Sequence, residues 1–214
     1  MKRTLFFVAI VVCSMMLSCN EEEPEVVDNG VFVSGEIDGY DYVDLGLPSG
    51  IKWATCNVGA DSFEDYGDYY AWGEVETKAE YTTDNSVTWG VLIGNISGNV
   101  KYDVARNKWG GTWRLPSKEE LIDLAEECKW EVGTQNGVKG YKVTGPNSNK
   151  LFLPFARYRY GENLYNEENF GYLWCSNPYE NNKDYSYSIE FNNNERKVLW
   201  DNRYDGQSVR PVTK

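Results

Sequence analysis

Between Gly161 and Gly171 the chain sets Glu162, Asn163, Asn166, Glu168 and Asn169 among the rings of Tyr160, Tyr165 and Phe170. Carboxylates and carboxamides hydrogen-bond hydroxyl groups, and aromatic faces stack on the apolar side of a sugar ring, so this composition suits glycan recognition. The same residues would also serve a solvated loop in which Asn supplies turn geometry. Trp200-Asp201-Asn202 is a second group, joining an indole to two oxygen-bearing side chains. Oxygen ligands suit calcium, but calcium takes about six to eight of them, so two residues do not make a site and no metal is expected. Trp109, Trp113, Arg114, Tyr158, Arg159 and Arg210 fit packing better than chemistry, with any buried Arg held by carbonyls or carboxylates. The chain has no histidine. That removes the usual base near neutral pH, the Ser-His and Cys-His nucleophile systems and most zinc sites. No spacing singles out two carboxylates for glycoside hydrolysis, so binding without catalysis is the expectation.

Sulfur offers the remaining chemistry. Lys2 and Arg3 precede an apolar stretch from Leu5 to Leu17, and Ser18 stands just ahead of Cys19. The stretch is too short to span a bilayer, which takes about 20 residues, and suits an export signal. Leu17-Ser18-Cys19 resembles a bacterial lipobox, in which the thiol is lipidated and the chain is cut before it. Asn20-Glu21-Glu22-Glu23 resembles the acidic tag of surface-exported lipoproteins of Bacteroidetes. These resemblances imply a signal peptide over 1–18, an acidic tether over 19–38 and one folded domain over 39–214, displayed on the outer membrane by lipid on Cys19. Stable anchoring takes two or more acyl chains, since one gives only marginal binding. Export is oxidising, so Cys56, Cys128 and Cys175 allow one disulfide in any of three pairings. Cys56 with Cys128 is favoured, because Cys128 falls on the apolar face of a helix; three reduced thiols are the alternative.

The formal charge is −12, and it becomes −14 once Lys2 and Arg3 leave with the signal. Nucleic acid and anionic lipid surfaces both need a basic footprint and are excluded as partners. Membrane contact is then through the anchor alone. With 16 Tyr and 8 Trp, the chain is equipped to build an aromatic core and to present rings at a binding surface.

The elements that must position these residues read as α+β. Tyr40 to Asp44 and Ile51 to Cys56 form a hairpin around Pro48-Ser49-Gly50. Tyr69 to Trp72 reads as a brief aromatic strand. Asp103 can cap a short helix, and Ser117 with Glu120 makes a capping box for a second, whose Leu121, Leu124, Ala125 and Cys128 recur at helical spacing. Period two returns at Tyr141 and Val143, and it is cleanest from Tyr185 to Phe191, where large apolar side chains alternate with Ser186, Ser188 and Glu190. Arg196 to Trp200 and Gln207 to Val212 close the chain as strands.

Several blocks resemble one family. Tyr42-Val43-Asp44-Leu45-Gly46-Leu47-Pro48-Ser49-Gly50, Trp53-Ala54-Thr55-Cys56-Asn57-Val58-Gly59-Ala60, Tyr66-Gly67-Asp68-Tyr69, Ala71-Trp72-Gly73-Glu74, Trp109-Gly110-Gly111-Thr112-Trp113-Arg114-Leu115-Pro116-Ser117 and the close from Asn202 to Val212 are similar to the major paralogous domain family first named from Fibrobacter succinogenes. The Trp-Arg-Leu-Pro block ahead of a helix also looks like the wider C-type lectin-like superfamily. The resemblance implies two helices flanking a mainly antiparallel sheet, with long irregular loops as the ligand-facing surface. It does not transfer function. Calcium-dependent lectins of that superfamily use Trp-Asn-Asp where this chain has Trp200-Asp201-Asn202, and their Glu-Pro-Asn triplet is absent. The oxidative enzymes of the superfamily need a cysteine pair near the last strand, where this chain has Gly206-Gln207-Ser208-Val209-Arg210. The functional expectation is a surface lipoprotein that binds a glycan or a protein, with a structural accessory of a surface or fimbrial assembly as the alternative.

Overall fold

The computed structural model describes residues 33–166 and 168–214; Cys19 and the signal lie outside the described residues. Strands β1 (Gly35–Ile37), β2 (Tyr40–Asp44) and β3 (Lys52–Ala54) come first. Helices α1 (Val104–Trp109) and α2 (Lys118–Glu127) occupy the middle. Then follow β4 (Lys129–Gln135), β5 (Val138–Thr144), β6 (Lys150–Pro154), β7 (Tyr158–Tyr160), β8 (Asn163–Tyr165), β9 (Phe170–Pro178), β10 (Tyr185–Asn192), β11 (Arg196–Asn202) and β12 (Val212–Thr213). Among the described residues the pairings between these strands are antiparallel, while the isolated bridges of β9 to Arg157 and Ser208 are parallel. The architecture is α+β.

The strands form sheets in the orders β1-β2-β3-β12, β4-β5-β6, β11-β10-β9 and β7-β8. Local chemistry accounts for the turns. Asn136 and Gly137, at φ 47° and 85°, close the β4–β5 hairpin, which is the pair of left-handed residues that a two-residue hairpin needs. The same device at Asp38-Gly39 joins β1 to β2. The ordered sheet therefore starts at Gly35, inside the stretch expected to be tether, and the Asp44 amide binds Ser34 Oγ to secure it.

Both helix starts are as expected. Asp103 accepts from Arg106 N, and Ser117 and Glu120 complete their reciprocal box. Glu120 also takes both terminal nitrogens of Arg114 at 2.8 and 2.7 Å, a two-pronged pairing that fixes the chain ahead of α2. Leu121 and Leu124 of α2 pack with Val43, Trp53, Leu151, Phe155, Ile189 and Phe191 in the main core. A second core holds Trp72, Val104, Leu115, Trp174 and Val209.

Two expected strands are not continuous. Tyr69 to Trp72 makes a single bridge, Tyr70 to Gln207, and side-chain hydroxyls take the carbonyls on either side of it: Tyr81 donates to Tyr69 O and Thr88 Oγ1 to Trp72 O. Gln207 to Val212 makes isolated bridges to different partners before β12, since it threads between sheets.

The expected Cys56–Cys128 disulfide is not formed; Cys56, Cys128 and Cys175 are free thiols. Their surroundings differ. Cys56 follows β3 beside Thr55 and Arg210, whereas Cys128 caps α2 in the main core near Glu127 and Arg196. Burial pushes the Cys128 thiol up to about 11 and that of Cys175 to about 12, so both are inert at neutral pH.

Candidate functional site

The β9–β10–β11 sheet determines where polar groups gather. Its period-two pattern puts Ser186, Ser188 and Glu190 on one face of β10, and that face is not solvent. Ser186 and Ser188 are fully buried, covered by the segment that follows β11. Arg203 reaches back to donate from Nε to Ser186 Oγ at 3.0 Å, and its guanidinium lies 4.3 Å from the ring centroid of Trp72. Register then fixes the neighbours: Tyr172 of β9 stands opposite Glu190, and Asp201 of β11 opposite Ser186.

The result is a half-open polar cavity of about 270 Å³. Its walls are Tyr158 from β7, Asn166 just after β8, Tyr172, Glu190, Asp201, Asn202, Asp205 and Gln207. Asp201 Oδ2 accepts from Ser188 Oγ and, at 2.8 Å, from Gln207 Nε2. Asn202 Nδ2 donates to Asp205 Oδ2 at 3.2 Å, and Asn166 Nδ2 donates to the Tyr172 hydroxyl. That hydroxyl bonds in turn to Glu190. Asn166 sits at φ 70°, a left-handed position that Asn tolerates better than most residues.

Charge in this cavity is poorly solvated. Burial pushes the Asp205 carboxyl up to about 7, with the neighbouring Asp201 adding to the shift and Asn202 opposing it. Burial also raises Asp201 against the pull of its Ser188 and Gln207 bonds. Glu190 is raised by burial and then by the Asp201 charge. The Tyr172 hydroxyl is held well above the ordinary tyrosine range and the Tyr158 hydroxyl is raised, both chiefly by burial.

A continuous run of ring contacts passes the cavity. From Tyr158 it goes to Tyr165 (centroids 6.0 Å apart), Tyr160 (5.4 Å), Tyr204 (5.9 Å) and Trp89 (4.8 Å). It continues to Tyr185 (6.3 Å), Trp200 (4.7 Å) and Tyr179 (5.5 Å). Tyr160, Tyr165 and Trp200 are 45%, 41% and 47% exposed, which leaves ring faces for a ligand. Such offset and edge contacts hold each ring in one orientation. A larger groove of about 740 Å³ lies between α2 and β11, but Asn194, Glu195, Lys197 and Leu199 on its wall are exposed, and it is open surface.

The candidates from the sequence are thus partly assembled. Asn166, Asp201 and Asn202 meet in the cavity, and Tyr165 stands at its edge on Tyr158. Glu162 and Asn163 sit on the exposed turn of the β7–β8 hairpin, Glu168 is exposed, and Asn169 is partly buried; none of these four lines the cavity. Trp200 projects to the other face of β11 from Asp201. Glu190, Asp205, Gln207, Tyr158 and Tyr172 were missed. Glu190 reads as the solvent side of an alternating strand, and nothing local in Asp205 or Gln207 signals that the chain folds back over it.

The Asp201 carboxylate is already engaged by Ser188 and Gln207, and no group of three or more His, Cys, Asp or Glu among the described residues is arranged to hold a metal ion. Comparison with family models, with curated proteins and with solved structures gave no match.

Proposed function

We propose that this chain is a surface lipoprotein whose folded part, a C-type lectin-like domain, binds a glycan without catalysis. The observation that carries the reading is the run of partly exposed rings leading to a half-open, hydrogen-bonding cavity. Rings supply stacking surfaces for the apolar faces of pyranoses, and the cavity supplies polar groups for one terminal or branching unit. The α+β arrangement, with Trp113-Arg114-Leu115-Pro116 leading into α2, supports the fold assignment.

A glycan array probed with the full chain, with and without calcium, should give saturable hits that do not need the ion. Trp200→Ala and Tyr165→Ala should each weaken those hits by about tenfold, the effect of losing roughly 1.4 kcal/mol of ring contact. A blank array together with co-purification of another surface protein would favour a structural accessory role. Turnover of a hit that vanishes in Asp205→Asn would replace binding with catalysis.

The anchor is tested separately. Cys19→Ala should move the protein from the membrane fraction to the soluble fraction and remove the fatty-acid mass from its N-terminus. Retention of the variant in the membrane would reject lipidation at that thiol.

A further inference from the structure

Hydrogen-bond accounting around the cavity leaves a specific remainder. Asp201 Oδ2 is satisfied twice, Asp205 Oδ2 is held by Asn202, and the Gln207 amide nitrogen is spent on Asp201. Asp205 Oδ1 and Gln207 Oε1 have no hydrogen-bond partner, although the two residues are only 5% and 1% exposed. Both are acceptors. Buried acceptors without a donor cost about 1–3 kcal/mol each, so an occupant that donates is favoured twice over.

The occupant's charge follows from the same walls. Glu190, Asp201 and Asp205 contribute three carboxylates, and no Lys or Arg lines the cavity among the described residues. Lys197 stands opposite Glu190 across the β10–β11 pairing and lies outside the cavity, 2.5 Å from Glu195. The carboxylates do not converge to ligate a single metal ion. At about 270 Å³ the space exceeds that of one water, about 30 Å³, and lies near the small end of ligand pockets, about 300 Å³. A neutral hydroxyl would satisfy the orphan oxygens but would leave the negative charge uncompensated. A primary ammonium brings three donors, no acceptor and a positive charge, and the aromatic rings of Tyr158 and Tyr172 line the same space.

We infer that the cavity receives a primary ammonium group carried by a non-acetylated amino sugar, with Asp205 Oδ1 and Gln207 Oε1 accepting its hydrogens and the adjoining tyrosines stacking on the sugar. This rests on the glycan-binding reading above and names the sugar class for it.

The test is calorimetric titration of the full chain at neutral pH with a chitosan tetrasaccharide and, in parallel, its fully acetylated chitin counterpart. The free-amine sugar should bind at least tenfold more tightly. That preference should disappear in Asp205→Asn and shrink in Glu190→Gln. Glu127→Gln removes the same charge from the exposed end of α2 and should leave the preference intact, which separates the cavity from the general attraction of an acidic protein for a polycation. Melting curves establish that each variant is folded before titration. Equal binding of the two sugars would overturn the ammonium inference while leaving glycan binding in place. Equal losses in Asp205→Asn and Glu127→Gln would overturn it as non-specific. Binding of a lysine amide with neither sugar bound would overturn both the amino-sugar assignment and the glycan reading, as would no binding in any titration.

Discussion

Arg210→Leu should lower the stability of the folded domain by about 4 kcal/mol, measured as a shift of the urea midpoint followed by tryptophan fluorescence. Arg210 is fully buried and has no carboxylate partner. Its nitrogens instead donate to four oxygens: Asn57 Oδ1 (2.8 Å), Ala54 O (3.1 Å), Thr55 O (2.5 Å) and Phe152 O (3.1 Å). These come from the end of β3 with the loop directly after it, and from β6, so one guanidinium ties two separate stretches of chain to the C-terminal segment ahead of β12. Burial lowers its pKa to about 10, so the group stays charged at neutral pH and is solvated by carbonyls. Leucine would leave four buried acceptors unpaired at about 1–3 kcal/mol each. Relief of the desolvated charge offsets part of that, and breaking such an arrangement costs about 3–5 kcal/mol in net. Against a total of about 5–15 kcal/mol for a domain, the loss is large. Arg210→Lys should recover only part, since one ammonium cannot reach acceptors spread around a planar fork. A loss below about 1 kcal/mol for the leucine variant would show that the carbonyls find other donors.

What the sequence reveals about this fold follows the range of the interactions involved. The Ser117–Glu120 box and the Leu121–Leu124 face lie within one helix and are legible there. So is the alternation from Tyr185 to Phe191, because period two is a property of one strand. Its meaning is not legible: Ser186, Ser188 and Glu190 look like a wet face, and they are covered only because Asn202 to Gln207 fold back across them. Trp200-Asp201-Asn202 reads as one polar-aromatic group, yet a strand sends neighbours to opposite faces, so Trp200 joins the ring run while Asp201 enters the cavity. The cysteines fail for a related reason. Cys128 does face the core, as its helical spacing implies, but spacing along one helix says nothing of whether Cys56 faces the same part of the core. Arg210 is expected to pack as a structural cation, and that much was legible from Arg in an acidic chain; Arg203, equally buried, was not singled out. Which carbonyls receive them depends on contacts more than a hundred residues apart in sequence.

Stability should rise by about 2–4 kcal/mol as the pH is lowered from 8 to 5, and Asp205→Asn should remove most of that slope. The sign follows from proton counting. The Asp205 carboxyl titrates at about 7 in the folded chain and at about 3.9 when unfolded. Between those values the native state holds a proton that the unfolded state has released, so acid favours the native state, and the advantage is lost as pH rises through about 7. A shift of about three units corresponds to roughly 4 kcal/mol at most. The groups facing Asp205 reinforce the effect. Asp201 and Glu190 are also raised, and Tyr158, Tyr172 and Tyr204 stay neutral over this range. Lys197 acts on Glu190 from across the strand pair and opposes it only in part. Urea midpoints at pH 5, 6, 7 and 8 read the slope directly. The asparagine variant should exceed the parent at pH 8 and match it at pH 5, because it removes a charge that only the alkaline protein must bury. A parent that loses stability on acidification would show that the cavity carboxylates are ionised and solvated. The destabilisation at alkaline pH is what a cationic ligand would relieve, since a positive charge against Asp205 favours its ionised form and pulls its titration back toward the ordinary carboxylate range. The pH slope of the parent should therefore flatten when the free-amine tetrasaccharide is present and persist with the acetylated one.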